Sequence, residues 1–180
     1  MRRPIALGQR QAGISLVESL LVMGLLALLL GMGVPGLSQL LAAQRLRVCV
    51  DSFLAAVNFT RAEAIRRGAR VDLIPLDGRD WSTGWMVFVD DNGNLQAETN
   101  EEILLQHAQT DAKVQIHSGF SGAAQYLSYN ANGRSRTHAS SQQVRAGHWQ
   151  FSAGQQRRKL IINFLGRPRV CNPQTAKANC

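Results

Sequence analysis

"GISLVESLLVMGLLALLLGMGVPG", residues 13–36, carries a single charge, the carboxylate of Glu18. The next charge after it is Arg45. About 20 apolar residues in an α-helix rise about 30 Å, the thickness of a bilayer's hydrocarbon core. Arg2, Arg3 and Arg10 precede the run, and basic residues there favour keeping that end in the cytoplasm. The rest of the chain would then lie outside it. A secretory signal peptide is the alternative: a shorter apolar run ending in a small-residue cleavage site. This run is too long for that, and its helical pattern continues beyond it.

The continuation is "LSQLLAAQRLRVCVDSFLAAVNFTRAEAIRRG", residues 37–68. Leu37, Leu40, Leu41, Phe53, Leu54, Val57 and Ile65 recur at three- and four-residue steps, which marks one apolar helix face. Gly68 reads as the C-terminal stop. The pattern predicts one helix from about residue 15 to residue 67. Pro35, with Gly31, Gly33 and Gly36, is expected to kink or loosen it. Its first half is apolar all round; its second half is amphipathic and suited to packing on a globular head.

Beyond Gly68 the pattern turns to strands. "RVDLIPL", "WSTGWMVFVD", "EEILLQH", "KVQIH", "QYLSYN", "GHWQFS" and "RKLIINF" are short strand candidates separated by turn signals such as "DGRD", "DNGN" and "NANGRS". The expectation is an α+β fold: a long N-terminal helix, transmembrane in its first half, packed against a head of about seven antiparallel β-strands. No internal repeat or low-complexity tract stands out. The 180 residues carry 20 Lys and Arg against 12 Asp and Glu, a net charge of +8. That excess suits an anionic partner, nucleic acid or phospholipid, without choosing between them.

The segment from Gln11 to Gly36 closely resembles the class III signal of type IV prepilins and pseudopilins. The resemblance implies that a prepilin peptidase cuts between Gly13 and Ile14, leaving Ile14 as an N-terminus that is often N-methylated. Ile14 stands where the family usually has Phe or Met, and Ser15 where Thr is common. Glu18 becomes the fifth mature residue. A lone carboxylate in hydrocarbon costs about 3 kcal/mol on the milder insertion scale, and the new ammonium of a neighbouring subunit would offset it. Glu18 is thereby read as a filament-assembly device, the alternative being a carboxylate at headgroup level. Losing residues 1–13 leaves 17 basic residues against 12 acidic, a mature charge of +5.

"LAAVNFTRAEAIRRG", a following strand, and "GWMVFVDDNGN" sharpen the resemblance to the GspH/FimT family of minor pilins and minor pseudopilins. It covers most of the chain, most strongly residues 13–36, 54–93 and 160–171. It implies a type IV pilin-like fold, with residues 1–13 as leader, 14–40 as transmembrane and assembly helix, and 41–180 as periplasmic or extracellular head. Arg61, Glu63 and Ala64 would lie low on the helix and Trp85 in the core. The implied location is the inner membrane, single-pass, and the cell exterior once assembled into a pilus. The implied partners are other major and minor pilins, the prepilin peptidase and the membrane.

"DDNGN" alternates Asp90, Asn92 and Asn94, but Leu95 stands where a calcium loop needs glycine, so a hairpin turn is expected. His107, His117, His138 and His148 share no metal-ligand spacing. No catalytic cluster, metal site or cofactor is expected, and no enzyme activity. Cys171 and Cys180 bracket "NPQTAKAN"; outside the cytoplasm they would bridge, closing a small loop, the alternative being two free thiols. Cys49 reads as a small packing residue.

"FLGRPRVC", residues 164–171, carries the functional signal. Gly166 would turn the chain. Arg167 and Arg169 alternate, so an extended backbone points both to one face, about 6–7 Å apart. Guanidinium groups suit phosphate. Arg157, Arg158, Lys159 and Lys177 would extend the patch, and Arg134 and Arg136 form a second alternating pair. Gly166, Arg167 and Arg169 resemble the Gly-Arg-x-Arg DNA-binding motif of FimT-type minor pilins, which act in DNA uptake during natural transformation. The resemblance implies contact with backbone phosphate, independent of sequence. Two other readings stay open: a structural minor pilin that primes the filament without DNA, and a minor pseudopilin of a type II secretion system.

Overall fold

The computed structural model describes residues 13, 15–108, 111–120, 124–176 and 180, with only the backbone given for 32–35 and 141. The chain divides into two compact units, Met1–Ser38 and Gln39–Cys180. One helix, α1 (Leu16–Arg67), supplies the described helical part of both. It stays helical through Pro35. In the first unit its side chains from Leu16 to Leu30 are exposed, and the helix contains a window with mean hydropathy 2.3, long and apolar enough to cross a membrane. Glu18 sits in the first turn, where the helix's unpaired N–H groups favour a negative charge.

In the second unit α1 buries Leu46, Cys49, Val50, Phe53, Ala56, Val57, Thr60 and Ala64. These follow three- and four-residue steps; of the expected face Phe53 and Val57 are buried and Leu54 packs against the core, whereas Leu37, Leu40, Leu41 and Ile65 are exposed. Small Ala56 and Ala64, and Thr60 with its hydroxyl donated to the Ala56 carbonyl at 2.7 Å, let the sheets approach closely. Gly68 ends the helix at φ 63°, its N–H donating to the Ile65 carbonyl, the left-handed stop that glycine allows without penalty.

Among the described residues ten antiparallel strands follow. One sheet runs β3 (Ile103–His107), β2 (Trp85–Val89), β1 (Val71–Pro75), β5 (Leu127–Tyr129), β6 (Ser135–Thr137), β7 (Ser140–Val144). The other runs β10 (Pro168–Cys171), β9 (Gln156–Ile162), β8 (Gly147–Ala153), β4 (Gln115–Ser118). Three strands exceed the seven expected. β6 and β7 are polar and lack alternation, and β10 begins at a proline. "WST" at 81–83 is a 3-10 turn rather than strand, capped by the Asp80 carboxylate.

Phe53 joins the layers. Its ring meets Trp81, Trp85, Trp149 and Phe151 edge-on, with centroids 4.8–5.4 Å apart. Trp85 comes from one sheet and Trp149 and Phe151 from the other, so one helix residue ties both sheets to α1. Trp85 is fully buried, as expected of a core residue.

Candidate nucleic-acid interface

The head segregates its charge. All 12 Asp and Glu lie at or before Asp111, and residues 112–180 carry ten Lys and Arg with no carboxylate side chain. β4, β8, β9 and β10 come entirely from this stretch, so the four-stranded sheet contains no acid. The asymmetry is plain in the sequence once charge is plotted along it; the whole-chain balance concealed it.

Within this half Arg145, Arg157, Arg158 and Lys159 are occupied with holding the fold. Arg145 is buried, its guanidinium stacked 3.8 Å from the Tyr126 ring centroid and donating to the carbonyls of Tyr126 and Ala124. Arg157 donates to the carbonyls of Gly154 and Gln156, and Arg158 to that of Arg157. Lys159 Nζ donates to the Cys180 carbonyl at 3.1 Å. The expected extension of the patch is therefore divided. Lys159, directly opposite Cys171, shares the outer sheet face with Arg157 and Arg169. Arg158 alternates onto the face of buried Leu160 and Ile162. Lys177, like Ile14 of the expected cleavage site, lies outside the described residues.

Arg167 and Arg169 are both exposed. Arg167 closes the turn between β9 and β10. The turn is built by Asn163, whose Oδ1 accepts the N–H groups of Leu165 at 3.0 Å and Arg167 at 2.9 Å. The Gly166 N–H donates to the Asn163 carbonyl at 2.9 Å. Gly166 has φ 75°. A Cβ there would stand 2.7 Å from the Tyr129 ring and 2.8 Å from the Ser135 nitrogen. Glycine is required on both counts. The Tyr129 hydroxyl donates to the Gly166 carbonyl at 2.7 Å, and burial pushes that phenol well above its ordinary pKa. Gly166 thus shapes the turn that carries Arg167. Phe164, expected to end a strand, stands at the turn with 66% exposure.

Cys171 and Cys180 are disulfide-bonded with Cα atoms 5.9 Å apart, which fastens Cys180 to the end of β10, next to Arg169. Cys49 is a buried free thiol on α1, its pKa pushed up to about 12 by burial and by nearby Asp111. At "DDNGN" the Asp90 carboxylate accepts the N–H groups of Gly93, Asn94 and Leu95, closing the loop as a turn. His107 is stacked on Trp85 at 4.0 Å, His117 and His148 line one cleft on the β4–β8 face, and among the described residues no three possible metal ligands gather.

A family model described as Type II transport protein GspH matches residues 50–166. The chain belongs to the GspH family. The match runs from the buried face of α1 through both sheets and ends at Gly166, so Arg167 and Arg169 lie just past it. The chain is 38% identical over 97 residues to the pilin-like protein PilA1 of Thermus thermophilus, covering 53% of this chain and 58% of that relative. The fold is shared with the type IV minor pilin FimU of Pseudomonas aeruginosa, at TM-score 0.56 and 19% identity over 72% of this chain and 90% of that structure. It is also shared with the minor pseudopilin EpsH from the type 2 secretion system of Vibrio cholerae, at TM-score 0.50 and 14% identity over 71% and 96%. This GspH-family chain accordingly has a type IV pilin-like fold.

Proposed function

We propose that this GspH-family chain is a minor type IV pilin that binds DNA without sequence preference, for uptake in natural transformation. It is made with residues 1–13 as a leader, cut by a prepilin peptidase between Gly13 and Ile14, and N-methylated at Ile14. It is held in the inner membrane by residues 14–40 until Glu18 and the helix carry it into the pilus or its tip beside other pilins. Its head, residues 41–180, faces the periplasm and then the cell exterior. The observation that supports the DNA reading is Arg167 and Arg169 standing exposed within a stretch of 69 residues that has no carboxylate side chain. Nothing in that stretch repels a phosphate backbone, and each contact releases condensed counterions.

The test is a duplex-DNA titration at several salt concentrations with the full chain in non-ionic detergent, beside Arg167→Gln/Arg169→Gln. Wild type is expected to bind with affinity falling steeply in salt, and the double variant to lose about two units of the log–log salt slope. Equal binding by both chains would return the protein to a structural role. The EpsH likeness and the family description favour one second reading, a minor pseudopilin of a type II secretion system; under it the arginines meet a neighbouring pilin and the titration shows no difference.

A further inference from the structure

The turn that presents Arg167 has a twin. "NANGRSR", residues 130–136, and "NFLGRPR", residues 163–169, share the pattern Asn-x-x-Gly-Arg-x-Arg. The two turns are built alike. Asn130 Oδ1 accepts the N–H groups of Asn132 at 3.1 Å and Arg134 at 3.0 Å, as Asn163 Oδ1 does for Leu165 and Arg167. The Gly133 N–H donates to the Asn130 carbonyl at 2.8 Å, and the Asn130 N–H to the Arg134 carbonyl at 3.1 Å. Gly166 and Asn163 make the same two bonds at 2.9 and 3.3 Å. Gly133 has φ 64° beside 75° for Gly166. Tyr129 pairs with Ser135 across the first hairpin as Ile162 pairs with Pro168 across the second.

The hairpins belong to different sheets, yet their turns touch. The position of a Gly166 Cβ lies 2.8 Å from the Ser135 nitrogen and 3.0 Å from the Gly133 carbonyl oxygen, and Tyr129 ties the first hairpin to Gly166 through its hydroxyl. Arg134 sits between Gly133 and Ser135, and Arg167 follows Gly166. Their Cα atoms are therefore about 10 Å apart or less, from the ~3.8 Å step between residues. Both side chains are exposed and neither has a side-chain hydrogen bond or ion pair among the described residues. Behind them Arg61 of α1 donates to the Gly133 carbonyl at 2.9 Å, so its positive charge is set against a neutral group. Arg136 is half-buried, with its Nε unpartnered among the described residues.

We infer that the Asn130–Arg136 turn is a second phosphate-contacting element, with Arg134 and Arg167 forming one clamp on the backbone of a single DNA duplex. The inference rests on the DNA reading above. Two guanidinium arms carried on mutually packed turns have their backbones already fixed and meet neighbouring phosphates without backbone rearrangement. The clamp explains why the arms follow glycine turns on two sheets rather than lying along one strand.

The experiment is the same salt titration with the full chain, comparing Arg134→Gln, Arg167→Gln, Arg134→Lys and, as a control, the exposed Lys113→Gln. Arg134→Gln and Arg167→Gln are each expected to lower the salt slope by about one unit, with Arg134→Lys and Lys113→Gln near wild type. If Arg167→Gln loses its unit while Arg134→Gln binds like the control, the second turn is not a contact and the DNA reading survives. If neither loses affinity, the DNA reading falls and the clamp with it. Loss in Arg134→Gln alone overturns the pairing. Equal loss in Arg134→Lys and Arg134→Gln, with a lowered melting temperature, assigns Arg134 a structural role and overturns the inference.

Discussion

Gly166 shows how much one missing methyl group decides. Gly166→Ala forces alanine into a left-handed backbone and pushes its Cβ against the Tyr129 ring and the Ser135 backbone. A loss of about 3 kcal/mol of stability is expected, read by urea unfolding, together with weaker DNA binding although no charge has changed. Unchanged unfolding and binding would show that the turns are not coupled there. Asp72 gives a second expectation. It is fully buried in β1, held by a two-pronged contact from Arg70 and close to Asp90. Burial pushes its carboxyl up to about 7, the Arg70 contact opposing only in part and the neighbouring Asp90 adding to the rise. Asp90 stays below the usual carboxylate range: burial opposes this, but its bond with Asp72, the loop N–H groups and Arg70 prevail. A free aspartate releases its proton near pH 4. Between there and about 7 the folded chain holds a proton the unfolded chain has lost, so this carboxyl's contribution to stability falls as pH rises through that window. The stability of wild type relative to Asp72→Asn should decline from pH 4 to pH 7, measured by denaturant midpoints; a constant difference would show that Asp72 ionises normally.

Among the elements, α1 does the most. Phe53 meets four aromatic rings from outside the helix, and Phe53→Ala removes all four contacts at once. A loss of about 3–5 kcal/mol is expected, a large share of a typical domain's 5–15 kcal/mol, with near-ultraviolet circular dichroism falling alongside the unfolding midpoint; a midpoint within error of wild type would contradict the hub role. The helix was legible because its apolar period and its Gly68 stop are local signals. Its buried stripe was legible at Phe53, Leu54 and Val57 and missed elsewhere, because Ala56, Thr60 and Ala64 bury a face through smallness, which a search for large apolar residues passes over. β6 and β7 left no alternating trace because "SRT" and "SSQQV" are polar. Their strand state comes from pairing across Tyr129–Ser135 and Arg136–Val144, which is a tertiary fact. The Gly-Arg-Pro-Arg stretch could be read locally. Its twin could not, because the likeness lies in hydrogen bonds around two asparagines, and the contact between the turns joins residues 30 or more apart.

For the whole molecule, composition understated the most useful property. A net charge of +8 describes a mildly basic chain, whereas the order of the charges describes two halves of opposite character. One half holds every carboxylate side chain; the other builds a complete sheet without one. A complete sheet without a carboxylate gives the head a face of unopposed positive charge, and such a face feels torque in a field before it feels contact. An approaching polyanion therefore turns the head so that the acid-free side comes first, which narrows the orientational search and raises the encounter rate at low salt. A pilin bearing such a head would act as a compass needle on the filament, aligned by a strand that has not yet touched it.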